Sequence, residues 1–204
     1  LGTALIAIIL WFGGLLILSP IMLSLSALIK FCEPDEPVFF TQKRVGRYGR
    51  LFSIYKFRTM YSRQTNKSPV SVLGEERITP VGAFLRKYKL DELPELWNIL
   101  KGNMSFVGPR PDVPGYADSL QGENRKILEL LPGLTGPATL KYRNEEELLA
   151  MQENPKKYND EILFPDKVRI NLYYYHHPSM WNDLKIMYCT IFKRKMFYAG
   201  EMIG

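Results

Sequence analysis

Cysteine and histidine are scarce in this chain of 204 residues, with two of each: Cys32, Cys189, His176 and His177. Two cysteines build no disulfide framework, so a reducing compartment is the simpler setting. Cys32 follows an apolar segment, where acylation competes with the plainer reading of a free thiol. Adjacent histidines, if on a strand, point to opposite sides, which argues against a shared metal. A Walker A loop, a metal-cluster spacing, an arguable Ser-His-Asp set and an Asp-x-Asp triplet are all missing. These absences remove P-loop nucleotide hydrolysis, zinc sites, triad hydrolysis and the many sugar transferases that hold a metal through Asp-x-Asp. No internal repeat or low-complexity tract occurs.

The most informative absence is charge near the start. The first 29 residues carry none, and all 27 Lys and Arg and all 21 Asp and Glu lie from Lys30 onward. A secretory signal would need a basic start, an apolar run of about 7–15 residues and a small-residue cleavage site. Leu1–Ile29 has no basic start, no clear cleavage site and is too long, so a membrane helix fits better. As one helix it would run about 44 Å, against a hydrocarbon core of about 30 Å. Ser19-Pro20 interrupts it, and proline removes a backbone hydrogen bond and forces a kink. Arms of about 27 Å and about 15 Å result. Two paths satisfy this pattern: a bent helix that returns to the face it entered, with the serine hydroxyl serving freed backbone groups, or a tilted, kinked span. Lys43, Arg44, Arg47 and Arg50 then favour a cytoplasmic body. The chain opens on Leu1, which leaves room for residues ahead of it.

The net charge of +6 favours anionic partners. Residues 38–60 read as a β-hairpin, aromatic and β-branched on both arms and punctuated by Gly46 and Gly49. Residues 61–77 read as polar loop. Helical periodicity runs over 80–100, a rigid Pro/Gly loop over 103–116, and a short helix over 122–131 ended by Pro132-Gly133. Residues 144–162 are acidic and helical in character. Met180 to Tyr198 is amphipathic, suited to packing on the body or to lying in a lipid interface.

Four clusters can carry chemistry. Asp91 reads as an N-cap and Pro94 as a first-turn residue, which puts Asp91 and Glu92 at a helix N-terminus. The partial positive charge there favours an ionised Asp91, as a carboxylate nucleophile requires, and Glu92 can hold a divalent cation. Capping and dipole compensation would explain the same pair without chemistry. In Gly108-Pro109-Arg110-Pro111, two prolines fix the direction of a guanidinium suited to phosphate, or to a structural carboxylate. Lys56 and Arg58 share a strand face fit for a diphosphate, or simply a solvated one. Pro132-Gly133-Leu134-Thr135-Gly136, followed by Arg143, allows close backbone approach to a ligand.

Taken in order, Ser19-Pro20, Gln42-Lys43-Arg44-Val45-Gly46, YKFRTM at 55–60, LDELPELWNILKGNMSFVGPRP at 90–111, PGLTG at 132–136 and Asp183-Leu184-Lys185 form one pattern. It resembles the bacterial sugar transferase family, the monotopic phosphoglycosyl transferases, in its small PglC-like form. The likeness runs to about residue 190 and is densest over 38–60 and 90–111.

The resemblance implies an α+β enzyme: a re-entrant membrane helix over 1–30, bent at Ser19 and Pro20, and a catalytic domain over 31–204 with interfacial amphipathic helices. It implies a place on the cytoplasmic face of the bacterial inner membrane, with membrane lipids as partners and no nucleic acid; a homodimer is left open. The donor would be a UDP-sugar and the acceptor polyprenyl (undecaprenyl) phosphate. Asp91 would attack the sugar-side phosphate, expel UMP and hold the phosphosugar until the acceptor takes it. Glu92 would bind Mg²⁺, Lys56, Arg58 and Arg110 the phosphates, and Thr135 and Arg143 the nucleotide. One departure stands out. The family commonly reads x-Ala-Gln-Val-x-Gly-Arg after Gly-x-Thr-Gly, whereas here Pro137-Ala138-Thr139-Leu140-Lys141-Tyr142-Arg143 keeps the arginine but not the glutamine or second glycine. Two other readings use the same features: a membrane-bound phosphodiester hydrolase working through Asp91, and a non-catalytic adaptor whose basic face binds acidic lipid.

Overall fold

A computed structural model describes residues 18–61 and 78–204. Helix α1 spans 18–32 in the described part. It is apolar on more than one side. Leu25 and Ile29, one turn apart, are buried against Phe57 and Leu85, while Leu23, Leu28 and Phe31 face outward. The Ser24 and Ser26 hydroxyls donate back to the carbonyls of Pro20 and Met22, at 2.9 and 2.7 Å, which hides polar groups that an apolar environment would penalise. No described helix is long and apolar enough to cross a membrane. Residues 1–17 lie outside the described part, and with them the first arm of the bend expected at Ser19-Pro20; Ser19 and Pro20 themselves lie in the first turn of the described helix.

The expected hairpin is present. Strand β1 (Phe39–Val45) pairs antiparallel with β2 (Leu51–Phe57), in a register that sets Phe39 opposite Phe57 and Val45 opposite Leu51. The strand period of two sends Phe52 and Ile54 inward onto Met104 and Ile99. Of the loop expected over 61–77, residues 62–77 lie outside the described part.

The stretch 80–100 departs from the single periodicity read in the sequence. Helix α2 (Pro80–Lys87) starts as expected, with Thr79 Oγ1 accepting from Gly82 N at 2.9 Å and proline in the first turn. It stops where Lys89 turns left-handed (φ 56°). The chain then winds as a 3₁₀ turn, Leu90–Glu95, before helix α3 (Leu96–Leu100). Asp91 is therefore not an N-cap: the cap position falls on Lys89, and Asp91 sits in the first turn.

Strand β3 (Ser105–Val107) pairs parallel with β4 (Gly133–Thr135). Between them the expected helix at 122–131 is a 3₁₀ segment, Gly122–Glu129. Helices α4 (Pro137–Lys141), α5 (Glu145–Ala150) and α6 (Pro155–Tyr158) follow, then a π-turn that leads into α7 (Phe164–His176). His176 and His177 therefore close a helix rather than sit on a strand. His176 Nε2 meets Glu123 Oε1 at 2.9 Å, and His177 Nδ1 meets the Tyr173 carbonyl at 2.9 Å. Helix α8 (Met180–Ile191) is shorter than the amphipathic run suggested, because Lys193 takes a positive φ and a hairpin follows, β5 (Met196–Tyr198) with β6 (Glu201–Ile203). The main core joins β3, α4, α7, α8 and this hairpin through Val107, Leu140, Ile170, Tyr174, Ile186 and Ile203. The architecture is thus mixed, with three two-stranded sheets among the described residues held together by short helices.

The β3–β4 pair is set by glycine. A Cβ on Gly133 would stand 2.2 Å from Gly108 N and 2.4 Å from Thr135 O, both backbone atoms. Nothing flexible can yield there. Gly133→Ala is expected to cost about 3 kcal/mol of stability, by analogy with overpacked cores. Denaturant unfolding checks it, and an unchanged midpoint would contradict the close approach.

Candidate active site

Three elements bring charge to one place: β2 with Lys56, the 3₁₀ turn with Asp91, Glu92 and Glu95, and the loop after β3 with Arg110. Asn98 on α3 fixes the turn to the hairpin. Wholly buried, it donates to Ser53 O at 2.7 Å and accepts from Tyr55 N at 3.1 Å, as a neighbouring strand would. The Arg110 loop is fixed through its backbone. Gly133 N donates to Pro109 O at 2.8 Å, Val45 N to Asp112 O at 2.9 Å, and Arg44 to Pro111 O at 3.3 Å.

The result is a carboxylate gripped from two sides. Lys56 Nζ lies 2.8 Å and Arg110 Nη2 2.5 Å from the same oxygen, Glu92 Oε1. Burial opposes ionisation of Glu92, but Arg110 and Lys56 together hold its carboxyl well below the usual range. Glu92 in turn raises the pKa of Arg110. Asp91 moves the other way: burial first, and then the Glu92 charge, push its pKa up against the pull of Lys56, Lys89 and Arg86. This reverses the balance expected from a helix N-terminus, because a short 3₁₀ turn offers little dipole and a carboxylate stands next door. Asp91 Oδ1 is buried with no hydrogen-bond partner, an arrangement that costs stability unless a ligand answers it.

Two residues here escaped the sequence reading. Glu95 is 1% exposed, with Oε1 at 3.2 Å from Lys56 Nζ, and burial pushes its carboxyl up to about 7. The signal available was its spacing of three from Glu92, since residues i and i+3 eclipse in a 3₁₀ turn. Asp112, two residues past Arg110, is raised to about 6 by burial, against Lys167 and Arg44.

The other expected residues lie apart from this cluster in their contacts. Arg58 falls just past the end of β2, donates to Pro37 O at 2.8 Å and pairs with Glu36 at 3.3 Å. Thr135 is buried and shares a 2.7 Å hydrogen bond with Thr190 of α8. Arg143 donates to Cys189 O, also on α8, at 2.9 Å. The glycines of 132–136 approach the backbone at Gly108.

Among the described residues no group of three or more His, Cys, Asp and Glu is placed to hold a metal. The donor chemistry nevertheless fits Mg²⁺, which takes one or two carboxylates and completes its shell with water and substrate phosphates. Asp91 Oδ1, orphaned beside the ionised Glu92, is the observation that fits a cation arriving with its substrate.

The sequence profile of the family described as "Bacterial sugar transferase" matches residues 2–196. A UDP-glucose:undecaprenyl-phosphate glucose-1-phosphate transferase of Escherichia coli (strain K12) is 33% identical over 188 residues, 88% of this chain and 37% of that protein. A UDP-N-acetylgalactosamine-undecaprenyl-phosphate N-acetylgalactosaminephosphotransferase of Aeromonas hydrophila is 35% identical over 179 residues, 85% of this chain and 38% of its own length. An uncharacterized sugar transferase, EpsL, of Bacillus subtilis (strain 168) is 36% identical over 157 residues, 77% of this chain and 69% of that protein. The chain thus spans well under half of the first and second of these relatives.

Proposed function

We propose, from the premise that this chain belongs to the bacterial sugar transferase family, that it moves a sugar-1-phosphate from a UDP-sugar to a polyprenyl phosphate and releases UMP. The observation that carries this reading is the convergence of Lys56 and Arg110 on Glu92, next to a buried Asp91 whose Oδ1 has no protein partner. An Asp91 oxygen attacks the sugar-side phosphorus, and the anhydride bond to UMP breaks with its electron pair on the leaving phosphate. The acceptor phosphate then attacks the same phosphorus and the aspartyl–phosphorus bond breaks, which restores the carboxylate. A covalent intermediate lets a soluble donor and a lipid acceptor visit one site in turn. Lys56, only 15% exposed, and the half-buried Arg110 meet the anionic oxygens, and such contacts strengthen as water is excluded. Mg²⁺ held by Glu92 with the diphosphate would draw negative charge from the departing UMP.

The membrane arrangement belongs to the same reading: a re-entrant helix over 1–30 and a catalytic domain over 31–204 on the cytoplasmic face. Its support is the outward Leu23, Leu28 and Phe31 of α1, and on α8 the exposed Trp181, Leu184, Tyr188 and Ile191 with the Lys185 ammonium 5.7 Å from the Trp181 ring. Aromatic rings beside lysines suit a lipid–water boundary.

The test is a panel of UDP-sugars with polyprenyl phosphate in detergent, followed by UMP release and lipid-linked product. Transfer from one or a few donors is expected. UMP release that ignores the lipid would point to a hydrolase instead. Chelation by EDTA should lower the rate at least about 100-fold, with recovery on adding Mg²⁺. Full activity in EDTA would remove the metal from the account.

A further inference from the structure

Behind the Asp91–Glu92 pair stands a third carboxylate with no part in the scheme above. The 3₁₀ turn brings Glu95 over Glu92, and both meet the Lys56 ammonium, at 3.2 and 2.8 Å. Arg44 from β1 and Arg110 from the loop also act on it electrostatically. Glu95 Oε1 is buried without a well-aligned hydrogen bond. A charge-bearing group in that position weakens a fold unless it is fully paired. The turn does not need it as a fastener, because Asn98 already ties α3 to the β2 backbone at two points.

We propose that Glu95 is a positioning residue for phosphosugar transfer, an inference that rests on the reading above. Acting through Lys56, it holds the ammonium between two carboxylates, so that this cation meets the substrate phosphates from one fixed place.

The test uses the full chain and two readouts. In the first, reductive methylation of Lys56 is followed by mass spectrometry, with Lys193 as an internal reference. Glu95→Gln, which leaves Lys56 with Glu92 as its remaining carboxylate, is expected to raise the Lys56 rate relative to Lys193 about tenfold, as a loosened amine would show. An unchanged ratio overturns the proposal. In the second, Glu95→Gln is expected to lower kcat about tenfold with little change in KM, and to add nothing in a Lys56→Met background, since residues acting as one unit are not additive. Multiplying losses overturn it. If Glu95→Gln does not fold, Glu95→Asp, charged but too short to reach Lys56, must give the same pair of results. Absence of transfer by the parent would defeat the enzymatic reading, and the methylation ratio would still decide whether Glu95 holds Lys56.

Discussion

Asp91→Asn is expected to abolish transfer and leave the fold intact. The amide keeps the shape of a side chain that is 7% exposed, but it cannot attack phosphorus. Loss of a nucleophile typically lowers kcat by about 10³-fold or more. The fold should not suffer. In the native protein burial and Glu92 raise the Asp91 pKa, so the folded state binds the proton more tightly than the unfolded chain. Stability from this group is therefore present at low pH and is lost as pH rises from the unfolded value through the folded one. The asparagine variant lacks that loss, and at pH 8 it should melt no lower than the parent. Thermal unfolding and a radiolabelled transfer assay check both halves. A variant retaining a tenth of the parent rate would rule out Asp91 as the nucleophile.

Lys56→Met is expected to cost both stability and activity. The change removes an ammonium only 15% exposed from between Glu92 and Glu95, which are 11% and 1% exposed. Breaking one side of a buried ion pair costs about 3–5 kcal/mol, because the remaining charge stays desolvated. Arg110 still neutralises Glu92, so the loss should fall near about 3 kcal/mol. The rate should fall about 100-fold with the loss of one donor to the developing charge. The second substitution Glu95→Gln in that background removes the carboxylate left without its cation and should return part of the stability and none of the activity. Denaturant unfolding measures the first and steady-state kinetics the second. Equal stability of parent and single variant would mean that Lys56 is not part of the buried network.

Where local rules govern, the sequence was a good guide. The hairpin at 39–57 follows from the aromatic and β-branched residues around Gly46 and Gly49, and the helical periodicity read from residue 80 begins where α2 does. Asp91 with Glu92, Lys56 and Arg110 were legible as parts of three separate clusters, and the fold supplies their meeting. What was not legible depends on backbone breaks. Apolar spacing alone over 80–100 cannot reveal that Lys89 turns left-handed, so the cap fell on the wrong residue and Glu95 went unnoticed. Strand alternation placed Arg58 beside Lys56, but the strand ends at Phe57 and releases Arg58 toward Pro37 and Glu36. The glycines at 133 and 136 were read as space for a ligand. Their close neighbour is another stretch of backbone, a long-range pairing that composition does not encode.

That contact has a mechanical consequence. Gly108, Gly133 and Gly136 meet main chain to main chain, so the segment leading to Arg110 is anchored by peptide geometry in addition to the packing of Val107. Substitutions among the apolar residues around Ile170 and Ile186, which share a core with Val107, would loosen the helices before they displaced the guanidinium. Drift in that part of the chain would shorten the protein's lifetime before it altered its aim.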